Sequence, residues 1–301
     1  MRLVFFGTPE DAVPPLRALI GAGHDVALAV TQPDRRRSRG SGADPSPVKR
    51  AAIDLGVPVL TPVKSREVIE DVRDSGAEMG VVVAFGQLLP VALLAAVPGG
   101  FVNVHFSLLP RWRGAAPVER AILAGDTETG VCLMRVEAGL DTGGVFACHT
   151  VPIGPWDTAG ELRTRLVDAG ARLLVERLPE IPSQTPAPQT SEPTYAEKLT
   201  VDEFRLAPHR PAVELTRVVR AGNPRPGAWF VADGHRYKVW TARALDDTET
   251  RHEIAVGALV AEGLQTADGV LVIDEIQPEG KRRMPYSEWR RGVRGVLAVQ
   301  T

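Results

Sequence analysis

Short apolar runs alternate with helical patterns through the first half of the chain. That alternation predicts a mostly parallel sheet covered on both faces, an α/β fold of the Rossmann-like, doubly wound kind. Composition then breaks at a proline-rich stretch. One helix and several short strands follow, which predicts a small C-terminal OB-like β-barrel domain. A length of 301 residues fits two such domains at roughly 100–200 residues each.

The elements follow in order. Arg2–Phe6 reads as a buried strand, Gly7-Thr8-Pro9 turns it, and residues 10–20 have helical spacing. Val26–Val30 is a second strand. Ser46-Pro47 supplies an N-cap and a proline at the first helical position, and Gly56 ends that helix. Further strands are expected at Val57–Leu60, Gly80–Phe85 and Phe101–His105, with helices near 65–75, 90–96 and 117–124. Val131–Val136 and Val145–Val151 read as later strands. Thr158 and Glu161 form a capping-box pattern that starts a helix to about Leu178. The stretch 179–194, PEIPSQTPAPQTSEPT, resists helix and sheet alike and is expected as an extended linker, the best domain boundary in the chain. Beyond it, Pro211–Ala221 is a helix stopped by Gly222. Short strands are expected at about 227–231, 236–243, 254–260 and 270–276.

Charged residues at 24% and hydrophobic residues at 44% exclude a disordered tail, a collagen or a coiled coil. No apolar window approaches the ~18 residues of a membrane span, and acids follow the first short apolar run too soon for a signal peptide. Two cysteines, Cys132 and Cys148, cannot staple a chain of this size. They are expected as small buried hydrophobes in a reducing compartment, hence a cytoplasmic protein. The net charge of −2 by itself discourages a nucleic-acid partner. Its placement is uneven: −2 over 1–189, −3 over 190–204 and +3 over 205–301. Basic groups concentrate at 35–50, 205–243 and 281–294, which keeps a polyanion partner in view beside the plainer reading of solvated faces.

No G-x-G-x-x-G, P-loop, H-E-x-x-H, C-x-x-C or G-x-S-x-G pattern occurs, so dinucleotide, zinc and serine-hydrolase chemistries lose their usual support, and no metal is expected. The informative segment is FVNVHFSLLPRWRGAAP, residues 101–117. Asn103 and His105 stand two apart near the end of a buried strand and share one face. Polar groups there are costly to bury without partners, and ligands bind at the carboxyl edge of such sheets. A core histidine satisfied by an amide is the competing reading. Gly139–Gly144, GLDTGG, is either a plain turn or a loop that lets backbone approach a ligand and brings Asp141 to His105. Together the three types suit oxyanion and acid–base chemistry: an amide for a developing oxyanion, an imidazole to polarise or move a proton, a carboxylate to orient it and accept a proton.

These segments resemble the methionyl-tRNA formyltransferases of the folate-dependent formyltransferase superfamily. NVHFSLLPRWRGAAP resembles the superfamily's N-x-H-x-S-L-L-P-x-x-R-G-x-x-P signature, and GLDTGG its catalytic aspartate loop. FFGTP, TQPDR, PSPVK, TYAEKL, RAGNPRPGAW and KVW also match in order, so the resemblance covers essentially the whole chain and favours the tRNA-directed branch. It implies formyl transfer from 10-formyltetrahydrofolate to the amino group of methionyl initiator tRNA, by a monomer without membrane attachment. Carried over, Asn103, His105 and Asp141 would be catalytic. Phe85, Gly86, Gln87 and Leu88, with Ser107, Leu108, Leu109 and Pro110, would bind the folate. Arg35, Arg36, Arg37, Arg39 and Lys49 would contact tRNA. Residues 1–189 would form the catalytic domain, ending in the linker 179–194, and 205–301 the tRNA-binding barrel. Departures are Phe106 where the family often has Gly, an unusually basic loop after TQPDR, and Phe204–Pro208 in place of an acidic run. Two alternatives stand beside this: a formyltransferase for a sugar-nucleotide or glycinamide-nucleotide amine, and a non-catalytic RNA-binding protein.

Overall fold

The computed structural model describes residues 1–34, 43–245, 254–293, 295 and 297–300. Its strands in the first part of the chain are β1 (Arg2–Gly7), β2 (Asp25–Val30), β3 (Val59–Leu60), β4 (Met79–Val83), β5 (Phe101–His105), β6 (Arg113–Gly114), β7 (Glu128–Arg135), β8 (Val145–Pro152) and β9 (Tyr195–Ala196). Seven of them form one sheet in the order β3-β2-β1-β4-β5-β7-β8, and β6 pairs with β9 separately. From β3 to β5 the neighbours are parallel; β7 and β8 add an antiparallel edge. The doubly wound, mostly parallel expectation therefore holds. Strand order reverses between β1 and β4, which is where such sheets open a crevice at their carboxyl ends.

The helices are α1 (Val13–Gly21), α2 (Pro47–Asp54), α3 (Ile69–Asp74), α4 (Val91–Leu94), α5 (Pro117–Ala124) and α6 (Ala159–Arg177). Local chemistry sets their ends. Ser46 Oγ accepts from the Lys49 N–H at 3.0 Å at the start of α2, with Pro47 at the first position. Thr158 and Glu161 exchange reciprocal side-chain-to-backbone bonds before α6. On one sheet face Val4, Phe6, Val82 and Phe101 pack with Val72 of α3 and Leu93 of α4. The Phe6 ring meets Phe85 and Phe101 edge-on at 5.1 and 5.5 Å. Gly80 is required here, because a Cβ would collide with the Phe101 ring.

Several expected elements differ. The helix near 65–75 is a 3-10 turn, Ser65–Val68, followed by the short α3, and the helix near 90–96 shrinks to α4. The strand at 57–60 narrows to two residues. The cysteine expectation is overturned. Cys132 on β7 faces Cys148 on β8 in register, and the two are joined in a disulfide with Cα atoms 4.1 Å apart. Cys132 is buried, but Cys148 is exposed. Strand register, which composition does not report, brings them together; the cysteines thus give no ground for a reducing compartment.

The proline-rich stretch is ordered against the sheet rather than a free tether. Ala187 exchanges both backbone hydrogen bonds with Val145, Gln184 Nε2 donates to the Phe146 carbonyl at 3.0 Å, and Ile181 is buried. Proline lacks a donor, but the residues between prolines keep theirs, and an extended chain lies naturally along an edge.

The chain divides into two units. The first comprises Met1–Pro117, Glu128–Pro152 and Arg163–Ala196; the second comprises Val118–Thr127, Ile153–Leu162 and Glu197–Thr301. The second contains α7 (Ala212–Gly222), β10 (Ala228–Ala232), β11 (His235–Leu245), β12 (Gly263–Gln265), β13 (Val270–Pro278), β14 (Met284–Pro285) and α8 (Tyr286–Arg291). Its antiparallel sheet runs β10-β11-β13-β12, with β14 on β13. No strand forms at 254–260. Instead single bridges Leu259–Leu264, Ala258–Ala298 and Val299–Ala232 carry the pairing from β12 back to β10 and close the barrel. Inside it Phe230 stacks on Tyr237 at 5.3 Å. The buried Tyr286 hydroxyl donates to the carbonyls of Val260 at 2.8 Å and Gly263 at 3.2 Å.

Burial pushes the Tyr286 phenol above its ordinary pKa of 10.0. A raised folded-state pKa means this stabilisation is complete below the unfolded tyrosine range and is lost as pH climbs through the folded value. Tyr286→Phe is expected to cost about 1–3 kcal/mol in denaturant unfolding at neutral pH, by removing the donor to the Val260 carbonyl, while the Gly263 carbonyl keeps the Val260 N–H at 2.8 Å. It should also flatten the decline in stability above about pH 10.

Candidate active site

A cleft of about 490 Å³ opens at the carboxyl ends of β4 and β5, where strand order reverses. Its volume lies in the range of small-molecule sites. One wall is the loop after β4, Phe85–Leu89. The chain leaves the sheet through Ala84 at φ 48° and Gly86 at φ 82°. Phe85 buries its ring in the apolar cluster below, and its carbonyl accepts from Thr8 Oγ1 at 3.0 Å and Gln32 Nε2 at 3.2 Å. Ser65 holds the far end, donating from N to Gln87 Oε1 at 2.7 Å and from Oγ to the Leu88 carbonyl at 2.8 Å. The loop is thus preformed, with Leu88 64% exposed above it. In the turn Gly7-Thr8-Pro9 a Cβ on Gly7 would sit 2.8 Å from Ala12, so its glycine serves packing.

The opposite wall holds the three residues expected to work together. Asn103 and His105 project from the end of β5, on the same face as Phe101 and the aromatic layer, where that layer stops. Asp141 comes from the turn after β7, at φ 53°. His105 is 5% exposed, and its two nitrogens have different partners. Nε2 lies 2.9 Å from the Trp112 carbonyl, which can only accept, so this nitrogen carries the proton. Nδ1 lies 3.6 Å from Asp141 Oδ2, beyond a direct hydrogen bond. Asp141 Oδ2 accepts instead from the Gly114 N–H at 2.8 Å. The Trp112 carbonyl, and not the carboxylate, therefore sets the tautomer. Nδ1 is left with the Asp141 carboxylate beside it.

With Val104 and Val131, Phe106 packs where α6 presents Gly170, a close approach that a larger residue would block. Ser107, Leu108, Leu109 and Pro110 are not among the residues lining the cleft. Ser107 is fully buried and its Oγ donates to the Arg111 carbonyl at 2.6 Å, while Leu108 lies against Gly130 of β7. This turn shapes the path of the chain to Trp112. Arg35, Arg36, Arg37 and Arg39 lie outside the described residues. Lys49 Nζ is held by Asp34 Oδ2 at 2.7 Å.

Sequence reasoning missed other participants. Trp112 enters through its carbonyl, which no motif reports. Asp11 and Arg163 pair at 3.1 Å on the cleft wall from helices far apart in the chain. Gln189 and Thr194 sit in the proline-rich stretch, where nothing local distinguishes them from linker residues. Among the described residues no group of three or more His, Cys, Asp or Glu could hold a metal ion, and no helix is long and apolar enough to cross a membrane.

A doubly wound sheet with amide, imidazole and carboxylate converging on a small-molecule cleft defines an acyl-transfer type of α/β enzyme. Residues 1–178 match the formyl transferase family and 198–294 the formyl transferase C-terminal domain. The chain is 44% identical to the methionyl-tRNA formyltransferase of Jannaschia sp. over 98% of this chain and 97% of that one. It is 44% identical to the methionyl-tRNA formyltransferase of Thermus thermophilus over 97% and 96%. The N-formyltransferase of Helicobacter canadensis, solved with folinic acid and dTDP-3-aminofucose, shares the fold at a TM-score of 0.67. It is 17% identical, with 94% of this chain and 99% of that one covered. This chain belongs to the methionyl-tRNA formyltransferase family, and it is a transferase.

Gly114 tests the geometry around Asp141. It sits at φ 119°, and an added Cβ would lie 2.8 Å from the Ala196 carbonyl. Gly114→Ala should displace the N–H that holds Asp141 Oδ2 and cost on the order of 1–3 kcal/mol in denaturant unfolding.

Proposed function

We propose that this protein transfers the formyl group of 10-formyltetrahydrofolate to the amino group of methionyl initiator tRNA, in the cytoplasm and as a monomer. The observation that carries the reading is the convergence of Asn103, His105 and Asp141 on one cleft, in a chain kin over its length to methionyl-tRNA formyltransferases. The cleft suits a folate. Its volume is adequate, and the Phe85–Leu88 loop is anchored at Phe85, Gln87 and Leu88 so that its peptide groups can read a flat heterocycle by backbone. The donor, when bound, supplies a formyl carbonyl activated for attack by an amine.

The chain's own groups do the rest. The Asn103 amide donates to the oxygen on which charge develops. Nδ1 of His105, the nitrogen turned from the Trp112 carbonyl, lies beside Asp141, so this pair would take up the proton lost by the attacking amine and return it to the donor nitrogen as its bond to the formyl carbon breaks, while the Trp112 carbonyl holds the ring in place. Residues 1–189 act as the catalytic domain and 205–301 as the tRNA-binding barrel. Arg35, Arg36, Arg37, Arg39 and Lys49 contact the acceptor end, and the basic C-terminal half holds phosphates, a salt-dependent contribution.

Two experiments test this. In formyl transfer from 10-formyltetrahydrofolate, charged initiator tRNA should far exceed sugar-nucleotide or glycinamide-nucleotide amines, with kcat/KM for tRNA falling as salt rises. Good turnover on a nucleotide-linked amine alone would overturn the assignment. His105→Ala should lower kcat by about 100-fold or more with the fold intact by circular dichroism. Arg39→Ala should raise KM for tRNA and leave folate affinity unchanged. An unaltered tRNA KM would reduce that loop to a solvated face.

A further inference from the structure

Gln189 belongs to no motif, and it lies in the stretch that composition marks as a tether. Its amide nevertheless has all four hydrogen-bonding positions engaged. Oε1 accepts from Arg113 Nε at 3.0 Å and Nη2 at 2.7 Å. Nε2 donates to the carbonyls of Asp141 at 2.9 Å and Gly143 at 2.8 Å. The orientation is unambiguous: a flipped amide would set NH₂ against a guanidinium and oxygen against two carbonyls. The Arg113 side chain is itself buried, so this contact takes up a charged donor that burial would otherwise penalise.

The contacts surround the reacting pair. Asp141 holds a left-handed backbone conformation, and two carbonyls of its turn are gripped by one side chain. Arg113 immediately precedes Gly114, whose N–H binds Asp141 Oδ2. Gln189 therefore connects both things that locate the carboxylate, its own turn and the N–H it accepts. Five residues further on, Thr194 Oγ1 accepts from the Trp112 N–H at 2.9 Å, steadying the peptide whose carbonyl fixes His105.

We infer that Gln189 is a positioning residue for the transfer reaction: it holds the Asp141 turn at its distance from His105 Nδ1, so that the segment after α6 forms part of the active site. This rests on the catalytic roles proposed above for His105 and Asp141. It adds no contact to either substrate, so its signature is a change in kcat without a change in KM.

The test compares Gln189→Leu, Gln189→Glu and Gln184→Leu in steady-state transfer to charged initiator tRNA, with thermal midpoints measured alongside. Gln184 is the control, because its amide ties the same segment to the sheet through the Phe146 carbonyl without touching the Asp141 turn. Gln189→Leu should lower kcat by about 10- to 100-fold, with KM for folate and tRNA within about twofold of wild type. Gln184→Leu should lose similar stability but keep wild-type kcat. Gln189→Glu can still accept from Arg113 but cannot donate to the two carbonyls. It should fold and show the same kcat loss, which keeps the test open if the leucine variant is unstable. In an Asp141→Asn background, Gln189→Leu should cause little further loss, because both act through one carboxylate. Wild-type kcat in a folded Gln189→Glu, equal kcat losses in Gln184→Leu and Gln189→Leu, or additive losses with Asp141→Asn would each overturn the inference. His105→Ala and Asp141→Asn are run in parallel. Full turnover in those two would defeat the catalytic assignment itself, whereas their loss with active Gln189 variants would defeat only the positioning role.

Discussion

The hydrogen bond from His105 Nε2 to the Trp112 carbonyl is the constraint around which the active unit is arranged. An imidazole buried at the end of a central strand needs an acceptor for its N–H. A backbone carbonyl is a fixed acceptor that does not titrate, so it sets one tautomer and leaves the other nitrogen for chemistry. To deliver that carbonyl, the chain after β5 must turn back within seven residues. The buried Ser107 bond to the Arg111 carbonyl closes that turn, and Trp112 itself takes a positive φ of 62°. Within the signature segment, Ser107 thus acts on the geometry of the turn. The cleft is lined by the loop after β4.

The same logic explains why a carboxylate can sit 3.6 Å from the imidazole without bonding to it. Asp141 is satisfied by the Gly114 N–H, and its turn is held by Gln189. Three short pieces of chain, 112–114, 141–143 and 189–196, lock to one another through backbone groups and the side chains of Arg113, Asp141, Gln189 and Thr194. The β6–β9 pairing forms part of this lock, since Arg113 and Gly114 are also its strand residues. Preorganisation of this kind keeps polar groups aimed at a reacting centre with little rearrangement.

The apolar side of the sheet supplies rigidity. Phe6, Phe85 and Phe101 form an edge-to-face layer that ends where Asn103 begins, so one strand face changes from core to cleft lining within two residues. Because alternation along a strand is strict, Val104 and Phe106 point to the other face, where Gly170 lets α6 approach. Phe106, just beyond the strand, packs its ring near Gly170 and still belongs to the cleft lining.

Much of this was legible in the amino-acid sequence, because local patterns carry it. Hydrophobic alternation with helical spacing implied the doubly wound sheet, capping residues placed the starts of α2 and α6, and period-2 spacing put Asn103 and His105 on one face. The turn residues of 139–144 marked a loop able to bring Asp141 near. What could not be read there depends on contacts between distant segments. Strand register, not composition, put Cys132 opposite Cys148. The proline-rich stretch looked like a tether because proline lacks a donor. Yet its other residues pair with Val145, Trp112 and the Asp141 turn, contacts that exist only once the sheet edge is present. The sequence by itself determined the architecture and the chemical types at the site, since these follow from periodicity and side-chain identity. Only the tertiary structure decided which nitrogen of His105 is protonated, what holds Asp141, and that Gln189 belongs to the site. Each of those is a hydrogen bond between residues far apart along the chain.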